Sequence, residues 1–156
     1  MRVPHIIAAV LLCCSFVFGQ DCMMGRNCVT GASPLHLAVY RGDMAEVKTL
    51  IRSGADIHAK DFYGFEPIHQ AAAQGYTQMM VLLLAEGVGV NSVGPDGWTS
   101  LHFAAAAGHL STVRFLVRRG ANVYALTKDG DAPFDWALRN GHLGVATYLR
   151  KRDWRR

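Results

Sequence analysis

A spacing of about 33 residues, the length of one repeating supersecondary unit, governs this chain from about Thr30 to its carboxyl end, with no insertion or deletion. Gly42, Gly75, Gly108 and Gly141 mark it, as do His36, His69 and His102, then Gly54, Gly87 and Gly120, and the apolar series Leu50, Leu83, Leu116 and Leu149. Four registers kept at one period exclude an ordinary globular layout. They predict a stack of equal units, each burying its apolar side against the next.

Within a unit the segments are short. An apolar stretch such as 34–41 is followed by glycine, a second stretch such as 44–52, and another glycine. This predicts helix, turn, helix. Pro34 and Pro67 suit a first helical turn, where the missing N–H costs nothing, with Ser33 as the cap ahead of Pro34. Gly42 and its equivalents suit the left-handed residue that ends a helix. The links 54–64 and 87–97 are long enough for a hairpin finger reaching from one helix pair to the next.

Ser33-Pro34-Leu35-His36-Leu37-Ala38 and Thr99-Ser100-Leu101-His102-Phe103-Ala104, together with Gly108-His109 and Gly54-Ala55-Asp56, resemble the ankyrin repeat signature. The resemblance implies an all-α repeat solenoid of stacked helix-turn-helix units with β-hairpin fingers and a concave face. The units would be 30–62, 63–95, 96–128 and 129–156, the last a carboxyl-terminal cap with a basic tail.

Departures from the pattern carry expectations of their own. Glu66, Ser100 and Asp135 replace the threonine, proline and histidine of the motif in units two, three and four. Gly94 stands one period after Asp61, and Gly89 stands where the family favours aspartate, so the finger between units two and three is expected to be the loosest. Arg150 follows Ile51, Leu84 and Val117 at an apolar position and reads as a polar cap.

The amino end has a basic start, Arg2 and His5, then an uncharged apolar run from Ile6 to Phe18. That is too short to span a bilayer and reads as a signal peptide, residues 1–19, cleaved after Gly19. Residues 20–29 would form a short arm. The alternative is a buried apolar segment of an intracellular protein. Cys22 and Cys28 remain in the mature chain; in an oxidising compartment they could close a small disulfide loop worth about 2 kcal/mol, or stay as two free thiols.

Charge excludes a general nucleic-acid binder. The net charge of +4 comes from Arg150, Lys151, Arg152, Arg155 and Arg156 near the end, whereas residues 20–149 hold 10 Lys and Arg against 11 Asp and Glu. A basic patch of Arg114, Arg118, Arg119, Arg150, Lys151 and Arg152 on second helices is the one feature that would suit a polyanion.

Catalysis and metal binding find no constellation. The histidines are absorbed by the repeat, no His-x-x-x-His or Cys-x-x-Cys spacing occurs, and no nucleophile elbow, phosphate loop or dinucleotide fingerprint is present. Asp129, Asp131 and Asp135 read as solvated turn residues and a helix cap. The expectation is therefore a monomeric, cofactor-free binding protein, secreted, with another protein as partner and no stable membrane insertion. Its contact residues are expected at the finger tips and the exposed ends of first helices: Tyr40, Arg41, Phe62, Tyr63, Phe65, Gln74, Trp98, Arg139 and Asn140. Aromatic side chains facing water in a finger would suit a surface meant to be covered.

Overall fold

The computed structural model describes residues 31–153, with side chains described as far as residue 151. The described residues from Ala32 onward belong to one compact unit. They form eight α-helices in four pairs: α1 Pro34–Arg41 with α2 Met44–Arg52, α3 Pro67–Ala73 with α4 Thr77–Ala85, α5 Ser100–Ala106 with α6 Leu110–Arg118, and α7 Pro133–Arg139 with α8 Leu143–Asp153. First helices pack on one another in the order α1, α3, α5, α7, and each carries its partner helix on the other side, with α4, α6 and α8 in lighter contact.

Helix starts follow the local chemistry. Pro34, Pro67 and Pro133 open first helices, and Ser33 caps α1. Asp43 caps α2 by accepting from the N–H groups of Ala45 and Glu46 at 3.0 and 2.9 Å. Gly42 ends α1 at φ 71°, and Gly75, Gly108 and Gly141 repeat that conformation, which would strain any residue with a Cβ. Leu35, Val47, Ile68, Met80, Leu83, Leu101, Val113 and Leu116 are fully buried at repeat-related positions between the helices, each contributing about 1.5–3 kcal/mol through lost apolar exposure.

Three fingers join the pairs, and they are not alike. In the first, Asp61 N donates to Phe65 O at 3.0 Å and Gly64 N to Asp61 O at 2.9 Å; the third repeats this with Thr127, Asp131 and Gly130, both bonds at 2.9 Å. The middle finger turns through a short 3-10 segment, Pro95–Gly97, with Asp96 at φ 54° beside Gly97 at φ 81°. There Gly94 N donates to Trp98 O at 2.7 Å and Trp98 N to Pro95 O at 3.1 Å, and Val93 pairs with Thr99 in an antiparallel bridge.

The middle finger, expected from its glycines to be the loosest, carries side-chain and backbone ties to the finger that follows. Asn91 Nδ2 donates to Gly120 O at 3.2 Å and Asn91 Oδ1 accepts from Asn122 N at 2.8 Å. Lys128 N donates to Asp96 O at 2.7 Å. Gly94 serves close packing: a Cβ there would lie 2.5 Å from the Phe65 ring. The residue is glycine because a ring occupies the space a side chain would need.

Candidate protein-binding face

The histidine register fixes each finger to the helix before it. Backbone N–H groups of Ser33, Glu66 and Thr99 point at Nδ1 of His36, His69 and His102, at 3.3, 3.1 and 3.2 Å. Nδ1 is therefore the acceptor, and Nε2–H donates onward to Phe65 O at 2.9 Å, Ser92 O at 3.1 Å and Asp131 O at 3.2 Å. Burial removes the rings from water and holds all three below the ordinary imidazole range, against raising contributions from the accepting carbonyls and nearby carboxylates. His109 adds another tie, donating from Nε2 to Ala73 O at 3.0 Å.

On this frame the expected contact residues divide. Phe62 is 74% exposed and Tyr63 37% exposed, their rings edge to face at 5.5 Å on the tip of the first finger. Arg41 is exposed and pairs with Glu46 at 2.6 Å. Tyr40 and Gln74 are half-buried. Ala73 and Ala106 are buried and Ala107 half-buried, which keeps the floor between first-helix ends low. Asn140 is exposed, but its Nδ2 donates to Ala106 O at 2.7 Å, so it also ties α7 to α5.

Phe65 and Trp98 do not face water, contrary to the expectation from their place in the fingers. Phe65 is 4% and Trp98 3% exposed. Each lies on the returning limb of its finger and meets a ring from a first helix further along. Phe65 stands edge to face on Phe103 at 5.1 Å, and Trp98 lies 4.9 Å from Phe103 and 4.8 Å from Trp136. Arg139 closes the row, its guanidinium 5.2 Å from the Trp136 ring centre while it binds Asp131 with two bonds of 2.6 and 2.5 Å. Asp131 is thus half of an ion pair rather than a free turn carboxylate. Asp135 is a cap, its Oδ2 accepting from Ala132 N at 2.8 Å.

Two exposed apolar residues of the fingers escaped the sequence reading, Val93 and Leu126. They lie one period apart in successive fingers, at the position where the first finger has Lys60. The signal was an apolar residue recurring in a polar link. With Phe62 and Tyr63 they give each finger an apolar side chain in water.

The basic residues are exposed on second helices, with Arg114 over Tyr148 at 5.5 Å and Arg119 over Phe115 at 5.1 Å, while Arg118, Arg150 and Lys151 reach into solvent. The Arg152 side chain, Arg155, Arg156, Cys22, Cys28 and the apolar run at the amino end lie outside the described residues. Among the described residues no cluster of three His, Cys, Asp or Glu is placed to hold a metal ion, and no helix is long and apolar enough to cross a membrane.

Stacked helix pairs, left-handed glycines at their turns and histidine-tied fingers define a helical repeat solenoid. The family model for ankyrin repeats, described as three copies, matches residues 5–93 and again 68–154, and the chain belongs to that family. No curated protein matches it. Ankyrin repeats generally serve as protein–protein interaction modules and are typically without catalysis.

Proposed function

We propose that this chain is a secreted, non-catalytic module of four ankyrin repeats, monomeric when free, that captures a protein partner on its finger tips and first-helix ends. The observation that carries the binding face is Phe62: a phenylalanine 74% exposed on a finger whose second phenylalanine, Phe65, is buried. An apolar ring held in water is the kind of residue that dominates interface energetics. Tyr63, Val93 and Leu126 extend the apolar contact, and Tyr40, Arg41, Gln74, Arg139 and Asn140 supply a polar margin. Phe65 and Trp98 support this face from beneath.

Once a partner is captured from the medium and identified, Phe62→Ala should weaken its binding by about 2 kcal/mol or more, a hot-spot effect. Unchanged affinity would remove the finger tips from the interface. The export reading rests on the basic start and short apolar run. It is tested by the mature amino-terminal residue and by intact mass under non-reducing conditions, expected to show cleavage after Gly19 and a Cys22–Cys28 bond. A second reading is an intracellular scaffold whose apolar segment is retained and buried. A protein still carrying Met1 to Gly19 would decide for it.

A further inference from the structure

Among the described residues, the fourth helix pair leaves open what every earlier pair covers. A Cβ added to Gly42 would meet the Tyr76 ring at 3.1 Å, one on Gly75 the His109 ring at 2.7 Å, and one on Gly108 the His142 ring at 2.5 Å; on Gly141 it would meet none of the described residues within 4 Å. Val39, Ala72 and Ala105 are buried, whereas Leu138, one period on, is 50% exposed. Position 77 faces the following pair through a bond of 2.8 Å from Thr77 Oγ1 to Thr112 Oγ1. Leu110, one period later, lies against Gly144 of α8. Leu143 continues that position and is 66% exposed. Leu138, Gly141 and Leu143 therefore make an apolar end face with a notch where the earlier pairs accept a ring.

Further along α8 the same face turns basic. Arg150 lies two helical turns beyond Leu143, on the same side of the helix and about 10 Å away, and Lys151 follows at the exposed edge of that side. Both are exposed, and among the described residues neither joins an ion pair.

The two obvious occupants fit poorly. In earlier pairs the ring at positions 36, 69 and 102 donates to the finger that follows; Asp135 performs the local half of that task but has no proton to donate. A further unit in register would lose its tie. A second copy laid face to face would bring Arg150 and Lys151 onto themselves if the helices ran parallel, and would lay Leu143 over Arg150 if they ran antiparallel. Neither arrangement is complementary.

We propose that this end face docks an amphipathic helix from a partner protein. Its apolar side carries an aromatic ring for the Gly141 notch and leucine-like side chains for Leu138 and Leu143, with carboxylates about two turns away for Arg150 and Lys151. The surface is separate from the Phe62 finger, so this docking survives Phe62→Ala and does not rest on the reading above.

The probe is a labelled synthetic helix of about 18 residues with leucines and one tryptophan on one side and glutamates grouped over two turns, beside a twin with lysine for every glutamate. Fluorescence anisotropy with the full-length chain should show the acidic helix binding at least about tenfold tighter than its twin. Arg150→Glu with Lys151→Glu should reverse that preference. Leu138→Gln with Leu143→Gln should weaken the acidic helix by about tenfold or more; these leucines are exposed, and an unchanged thermal melt verifies the fold. Equal affinity for both helices, no binding of the acidic one, or indifference to the leucine changes would overturn the proposal. So would light scattering that shows a dimer abolished by Leu138→Gln, which would give the face to a second copy.

Discussion

The first finger carries three aromatic side chains and the second only one, and the two fingers place them differently. In the first, Phe62 and Tyr63 ride on the turn while Phe65 returns toward the helices. In the second, proline and aspartate take the turn positions, and Trp98, one period after Phe65, is the only aromatic. Position within the repeat, not aromatic character, decides burial. The returning limb faces a first helix further along the stack, whereas Phe62 on the turn of the first finger faces water.

The largest effect should separate Trp98 from Phe62. Trp98→Ala removes the ring packed on Phe103 and Trp136 and should cost about 3–5 kcal/mol in urea unfolding. Phe62→Ala should stay within about 0.5 kcal/mol, as exposed substitutions do. Comparable losses would break the distinction between the two fingers.

Acid should act on all fingers alike, since His36, His69 and His102 each hold one. Burial lowers their folded-state affinity for a proton below the ordinary imidazole value of 6.5. The unfolded chain therefore binds more protons in the window beneath that value. Stability is complete above 6.5 and falls as pH drops toward the lowered values, with a slope of up to about 4 kcal/mol per pH unit if three groups titrate together. Urea midpoints measured from pH 7.5 to 5 would show it; a flat profile would mean that the rings carry no linkage.

A smaller loss than that of Trp98→Ala tests the packing of the middle finger. Gly94→Ala sets a methyl group against the Phe65 ring and should cost about 1–3 kcal/mol by overpacking. A neutral result would mean that the Phe65 ring yields freely, and that the two fingers are less firmly coupled than their geometry implies.

Much of the frame was legible because its signals are local or strictly periodic. Pro34, Ser33, Gly42 and His36 each do what their chemistry and spacing suggest, and the helix bounds follow. The face was harder to read. Phe65 meets Phe103 and Trp98 meets Trp136 at one shared separation along the chain, longer than the period, an offset set by how the finger folds back rather than by the repeat. Gly94 was read for its backbone freedom, when its cause is a ring from another unit. Arg139 looked like a free contact residue because Asp131 lies well before it in sequence, across the start of a helix. Pairings between units leave no mark within a single unit.

The contact of Trp98 with Trp136 has an optical consequence. Two indoles whose centres lie 4.8 Å apart, inclined by 48°, are close enough for their excited states to couple. The folded chain should therefore give a paired circular-dichroism band whose sign is set by their mutual orientation. That band follows the seam between the third and fourth helix pairs and not the amount of helix. Opening of the seam and melting of the helices can then be followed as two separate signals in one unlabelled sample.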